Sequence, residues 1–361
     1  MNYRILAINP GSTSTKISIY DNDKKLFVEN VEHKTEDLAK FDSILDQIEF
    51  RAETVRAALT KHDIELSGLS GIACRGGLLP DVEGGGYLVT KLMTDTYKSE
   101  KTQQHASNLA SLIGSEIAGP LGINAYIYDA VTANEIPEMA LITGIPELPR
   151  QSQCHVLNSK AMARQVAKKY GKAYEDLRLI VVHLGGGVSI SAHEGGRIID
   201  SIGDDNGPYF APERSGGLSL ILMIDMCFSG KYTKKEIQGK VRGKGGLAGH
   251  FGTADCRVVE KMIEDGDERA KMVYEAMAYH IAKGIGQLTP VLRGKVDYVV
   301  LTGGLANSKM LTGKIAERVD WIAPVEIAPG EDEMEALSIG ILRILKGEEK
   351  AKEYKGPKKE G

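Results

Sequence analysis

Four segments of the chain join glycine to hydroxyl or amide side chains: residues 9–16 (NPGSTSTK), 183–189 (HLGGGVS), 249–255 (GHFGTAD) and 302–307 (TGGLAN). Backbone N–H groups that converge at such turns hold phosphate well, because glycine lets the backbone bend and approach closely. Ser and Thr hydroxyls add donors. None of the four is a GxxxxGK[ST] loop, and none is a GxGxxG after a strand, so a P-loop and a Rossmann dinucleotide site are both disfavoured. Singly, each is explained as well by a tight turn. Together, three of them straight after an expected strand, they favour a nucleotide clamp. Arginines lie beside glycine at Arg75 (RGG) and Arg214 (PERSGG), and Arg257 follows Asp255 and Cys256. A guanidinium in such a place suits bidentate contact with phosphate or carboxylate, though a surface ion pair is the commoner fate of one arginine. Asp129, at the end of an expected strand, and Glu333, at an expected helix start, are carboxylates of the kind that hold Mg²⁺ through water or cap a helix.

These loops need strands and helices to aim them, and the patterning reads as alternating α/β. Strands are expected at Arg4 to Asn9, Lys16 to Tyr20, Lys25 to Val31, Gly71 to Cys74, Ala125 to Asp129, Leu179 to His183, Val188 to His193, Arg197 to Ser201, Val296 to Leu301 and Pro324 to Ala328. Helices are expected at Glu53 to His62, Ser99 to Ala118, Ser152 to Tyr170, Leu218 to Phe228, Asp267 to Leu292 and Asp332 to Leu345. From Lys346 the chain is Lys, Glu and Gly and is expected to fray. Two segments resemble each other: RILAINPGSTSTKISIY and LIVVHLGGGVSISAH each run strand, glycine turn, returning strand. A duplicated domain and two unrelated hairpins explain that equally well.

The chain has 361 residues, 45 Lys plus Arg and 49 Asp plus Glu, for a formal charge of −4. The length suits two lobes. The near-neutral balance gives no electrostatic case for nucleic acid or an anionic membrane as main partner. No apolar run is long enough to span a bilayer, and the first residues lack the pattern of a signal peptide. Four separated cysteines, Cys74, Cys154, Cys227 and Cys256, form neither a disulfide framework nor a zinc site. A reducing cytoplasm is therefore expected.

Over residues 3 to about 345 the sequence resembles the butyrate kinases, a branch of the acetate kinases within the actin, Hsp70 and sugar kinase superfamily. The likeness rests on NPGSTSTK at 9–16, RGGLLP at 75–80 followed by VEGGGY, HASNLA at 105–110 and HLGGGVS at 183–189. It continues through GPYFAPERSGGL at 207–218, GKGGLAGHFGT at 243–253, VYEAMAYHIAK at 273–283, LTGGLANS at 301–308 and APGEDEMEAL at 328–337. The resemblance implies a duplicated, ribonuclease H-like (actin-like ATPase) two-lobe α/β fold with a nucleotide cleft between the lobes. Residues 1–148, completed by a helix at about 331–346, form one lobe on the acid and phosphate side. Residues 149–330 form the nucleotide lobe, and 347–361 a flexible tail.

It further implies ATP/ADP and Mg²⁺ as cofactors, a short-chain carboxylic acid and its acyl phosphate as reactants, and a homodimer or larger homo-oligomer. Asn9, Ser12, Ser14 and Lys16 match a first phosphate loop, and His183 with Gly185, Gly186 and Gly187 a second. Asp255, Arg257, Gly303, Gly304 and Asn307 match the nucleoside pocket. Arg75 and Arg214 match arginines that grip acid and phosphoryl group, and His155 a histidine that stabilises that group in transit. Asp129 matches a Mg²⁺-organising carboxylate and Glu333 its partner, or Asp332 with a shift of one. Acetate kinases read HLGNG where this chain has Gly186, and HRVVHGG where it has CRGGLLP. Both differences point to the butyrate branch. The acid's alkyl pocket is expected near Leu78, Leu79, Pro80 and Val82, unless these pack beneath the glycine loop. The rivals are an acetate or propionate kinase, and an ATP-driven switch of the same superfamily.

Overall fold

The computed structural model describes residues 1–151, 154–203 and 207–357. They form two units, one of Met1–Asn134 with Asp332–Gly361, the other of Glu135–Glu331. In the first, β1 (Arg4–Pro10), β2 (Ser14–Asp21) and β3 (Lys24–Glu32) form an antiparallel meander. Two strands then add in parallel beside β1: β4 (Gly71–Arg75) and β6 (Ala125–Tyr128). A short β5 (Gly86–Leu88) and β12 (Lys352–Glu353) extend the sheet, whose order is β12-β5-β6-β4-β1-β2-β3. The second unit repeats the plan. The meander is β7 (Leu179–Leu184), β8 (Val188–Glu194) and β9 (Arg197–Ile202). The parallel strands are β10 (Tyr298–Gly303) and β11 (Val325–Pro329), in the order β11-β10-β7-β8-β9. The loose sequence repeat falls on β1–β2 and β7–β8, so duplication is the correct choice of the two readings.

Parallel neighbours need crossover helices, and these cover both faces. The central strands therefore read as continuous apolar runs. In β7, Ile180, Val182 and Leu184 enter a core with the helix Glu268–Leu288, while Leu179 and Val181 pack with Ala163 and Val166 of the helix Val156–Lys169. In the first unit Leu6, Ile8, Ile72 and Cys74 join a core with Leu109 and Ile113 of the helix Leu109–Leu121. The C-terminal helix Glu333–Lys346 returns to pack on β1, β4 and β6. Gly340 permits that approach, since a Cβ there would lie 2.7 Å from the Tyr128 ring. Among the described residues, no helix is long and apolar enough to cross a membrane.

Some expected bounds shift. The helix expected from Ser99 begins only at Leu109, because Thr102 Oγ1 bonds back to the Thr96 carbonyl and Asn108 Nδ2 to that of Gln103, turning the chain. A separate helix, Lys91–Lys98, precedes that turn with Thr90 as its cap. The helix expected at Ser152 begins at Val156, and Ser152 and Gln153 lie outside the described residues. The unit boundary falls after Asn134, not near 148. Glu135 is bound by Lys160 Nζ at 2.9 Å and by the Ile198 N–H, and Arg150 by Asp200, all in the second unit.

The tail does not fray up to residue 357. Glu349 accepts from Tyr128 Oη and Arg343 Nε, Lys352 Nζ donates to the Gly84 carbonyl, β12 pairs with β5, and Tyr354 is buried. Lys358 to Gly361, the end of the expected flexible tail, lie outside the described residues. Tyr354→Ala is expected to destabilise the first unit by about 3 kcal/mol in urea unfolding, the usual cost of deleting a buried aromatic ring. A change below about 0.5 kcal/mol would show the tail to be peripheral.

Candidate active site

In the first unit, register decides which side chains meet. Ile8 pairs with Cys74 and Arg75 with Tyr128, so Asn9, Arg75 and Asp129 stand at the carboxyl ends of β1, β4 and β6. Ligands of open α/β sheets bind at such ends. The N-terminus of the helix Glu333–Lys346 lies at the same edge. Asn9 Nδ2 donates to Glu333 Oε2 at 2.7 Å, and Arg75 Nε lies 3.7 Å from Glu333 Oε1. Arg75 also donates to the Asp129 main-chain carbonyl at 3.0 Å. Asp129 has φ +42°, in the left-handed region, and its carboxylate is buried against the Gly85 N–H at 2.7 Å. Such a conformation persists only where the surroundings enforce it.

The neighbouring acid, Asp332, is used otherwise. It caps the helix through the Glu335 N–H and pairs with Lys25, so Glu333 is the acid at the strand ends. Lys16 pairs with Asn9 in the β1–β2 register; Ser12 lies in the turn between those strands, and Ser14 opens β2. Leu79 and Val82 belong to the core of the first unit and do not line an open surface. Leu78 and Pro80 are only partly covered.

The second unit assembles an equivalent edge. His183 ends its pairing between Thr302 of β10 and Ser189 of β8. Its Nδ1 pairs with Asn158 Oδ1 at 2.9 Å, and its Nε2 lies 3.3 Å from Glu331 Oε2. His155 stands at the residue before the helix Val156–Lys169, and its ring stacks on that of His183 with centroids 3.8 Å apart. The Ser189 hydroxyl pairs with His155 Nδ1 at 2.8 Å. The turn Gly185, Gly186, Gly187 closes on itself through Gly185 N–H to Gly187 O, and Gly186 O accepts from the Glu213 N–H. Arg214 follows directly and donates to the Glu213 carbonyl. At Gly303, φ is +89° and a Cβ would lie 2.4 Å from the Leu184 carbonyl, so only glycine fits between β7 and β10. Gly304 and Asn307 form the short 3-10 turn that follows, with Asn307 Nδ2 bonded to Gly304 O.

Asp255 and Arg257 form a local pair. Asp255 caps the helix Cys256–Glu264, and the adjacent Arg257 guanidinium holds its carboxyl down to about 2. Capping accounts for that geometry by itself.

The family model of the acetokinase family matches residues 122–328, more than half of the chain. The chain belongs to the acetokinase family. It is therefore a phosphotransferase of the carboxylate-acceptor class. Its fold is similar to that of an acetate kinase from Porphyromonas gingivalis, with 18% identity, TM-score 0.78, and 94% of this chain and 99% of that one covered. A propionate kinase from Francisella tularensis gives 19% identity, TM-score 0.70, and coverage of 94% and 98%. A ROK hexokinase from Thermus thermophilus, at 14% identity, TM-score 0.50 and coverage of 93% and 96%, shares the fold more distantly.

Three residues of this acetokinase escape sequence reading. Asn158 orients His183 and also binds the Gly330 carbonyl; an internal helix Asn carries no signal of that role. Asn108, within HASNLA, fixes the loop after Arg75 by accepting from the Leu78 N–H at 2.8 Å, while His105 only caps the turn before it. Arg51, fully buried, binds the turn after β1. A basic residue on a helix reads as solvated, and only the fold reveals its burial.

His33 lies beneath the same turn, with Nε2 2.8 Å from Thr15 Oγ1. Burial, then the Arg51 charge, push its imidazole below the ordinary 6.5. The unfolded chain thus binds that proton more readily. The stability gained is complete above about 6.5 and is lost as pH falls below it. Thermal melts between pH 7 and pH 5 are expected to show a shallower decline in His33→Gln than in the wild type. Parallel slopes would contradict this.

Proposed function

We propose that this acetokinase is a butyrate kinase, transferring the γ-phosphoryl of ATP reversibly and in line to butyrate, or a similar short-chain or branched acid, to give butyryl phosphate and ADP. The observation that carries the reading is Arg75, fixed at a strand end beside Asn9, Asp129 and Glu333, with the partly covered apolar Leu78 and Pro80 a few residues further along the chain. A guanidinium beside an apolar stretch suits an acid with an alkyl chain.

The carboxylate acceptor is ionised at pH 7, so transfer needs no general base. The difficulty is repulsion between an anionic acid and an anionic phosphate, and catalysis comes from positioning and neutralisation. In this reading Arg75 and Arg214 grip the acid and the moving phosphoryl group with forked donors. His155, its ring aligned by His183 and Ser189, donates to an equatorial oxygen. Asn9, Ser12, Ser14 and Lys16 with the first turn, and His183 with Gly185, Gly186 and Gly187, hold phosphate oxygens. Gly303, Gly304 and Asn307, with Asp255 and Arg257, receive the nucleoside. Asp129 and Glu333 are the hard oxygen donors that would hold Mg²⁺, partly through water. Two carboxylates with nucleotide phosphates are a usual magnesium set. When bound, the ion withdraws charge from the phosphate oxygens.

Self-association belongs to the same reading. The helix Leu220–Phe228 has no buried residue, and Leu220, Ile221 and Leu222 are 74%, 68% and 69% exposed. Ile221→Asp with Leu222→Asp is expected to lower the mass seen by light scattering. An unchanged mass would move the interface elsewhere.

The neighbours named acetate and propionate kinase favour a second reading, in which the preferred acid is shorter. Each buried CH₂ is worth about 0.8 kcal/mol, so butyrate gains about 1.6 kcal/mol over acetate, or roughly fifteenfold. In a hydroxamate assay with MgATP, kcat/KM is expected to rise from two carbons to four and to stay substantial for propionate and valerate. A maximum at acetate would overturn butyrate specificity, and ADP release independent of any acid would favour an ATP switch. Arg214→Ala is expected to lose about 10³-fold or more in kcat, with Arg214→Lys recovering little. A folded Arg214→Ala enzyme within about tenfold of wild type would remove the role.

A further inference from the structure

Arg51 lies on the helix Ile48–Lys61, is 0% exposed, and has no carboxylate within ion-pair distance among the described residues. A buried cation without a counter-ion is costly, and its other partners must compensate. Those partners belong almost entirely to one turn. Nη1 donates to the Gly11 and Ser14 carbonyls at 2.9 Å each and to Thr15 Oγ1 at 3.1 Å. Nη2 donates to the Ser12 carbonyl at 3.1 Å, and Nε to Gln47 Oε1 at 3.0 Å. The remaining carbonyl of the turn, that of Thr13, accepts from the His33 N–H. All four carbonyls from Gly11 to Ser14 thus face the protein.

Every peptide here is trans, so each N–H points opposite to the carbonyl of its own unit. Carbonyls drawn inward at Gly11 and Ser12 turn the N–H groups of Ser12 and Thr13 outward. Both residues are exposed, and neither N–H donates to a protein acceptor among the described residues. The result is a pair of solvent-facing donors with a positive charge beneath them.

We propose that Arg51 is the positioning residue of the first phosphate turn: it holds the carbonyls of Gly11, Ser12 and Ser14 so that the turn's N–H groups stay aimed at a nucleotide phosphate, and it supplies a fixed positive charge beneath that phosphate. Arg51 touches no reactant. The inference rests on the reading of this turn as a phosphate site, and the test separates the two.

Arg51→Lys keeps the charge but cannot span three carbonyls. With circular dichroism and melting temperature retained, it is expected to raise the KM for MgATP and the Kd for MgADP by about tenfold, while the KM for butyrate moves less than about twofold. Gln47→Ala, which loosens only the Nε anchor, should shift MgADP affinity the same way by a smaller factor. Propylguanidinium should restore MgADP binding to Arg51→Ala, and propylammonium should not. A general loss of folding would instead lower kcat with both KM values unchanged, and that pattern overturns the role. So does wild-type MgADP affinity in folded Arg51→Lys or Gln47→Ala. A wild-type protein that fails to bind MgADP by calorimetry sinks the phosphate reading and this inference with it.

Discussion

Parallel pairing beside a meander is the constraint from which the rest follows. In each unit the first strand turns back on itself, and two later strands then join its free side in the same direction. Their carboxyl ends must align, and whatever residues stand there must meet. In one unit these are Asn9, Arg75 and Asp129; in the other, His183, Thr302 and Gly303. The chemistry is placed by register, and residues far apart in the chain become neighbours without any loop having to search for them.

Each edge then handles its polar groups by different means. The first unit gathers charge: the Arg75 guanidinium, the Glu333 carboxylate and the Asn9 amide brace one another, and a second guanidinium is buried beneath the adjoining turn. The second unit gathers imidazoles and glycine. His155 and His183 support each other face to face, and Asn158 ties one of them to the Gly330 carbonyl. That carbonyl also accepts from Thr302 Oγ1 and the Gly303 N–H. One oxygen therefore fixes the ends of β10 and β11 and, through Asn158, the orientation of a histidine.

Much of this was legible in the sequence. The strand–turn–strand likeness of residues 4–20 and 179–193 was visible, because hairpin turns constrain composition locally, but the choice between a repeat and two unrelated hairpins needed the sheet order. Arg75, Asp129 and Glu333 stood out because each sits where an element begins or ends. The tail, rich in Lys and Glu, read as solvated; its hold depends on Tyr128, Gly84 and β5, contacts about 220 to 270 residues away in sequence. The apolar run Leu78 to Val82 could not be divided by inspection into lining and core, since both use the same residue types. Arg51 and Asn158 were invisible for a related reason: a polar residue on a helix declares its chemistry but not its burial.

The helix Glu333–Lys346 completes a sheet whose first strand begins at residue 4. During synthesis, a strand made before the second unit therefore waits on a helix made after it. Until that helix has been made, the face of β1 on which it packs has no cover. Until then a greasy sheet face stays open while the whole second unit is synthesised, and the nascent chain is exposed to mispairing or to capture by chaperones over that interval.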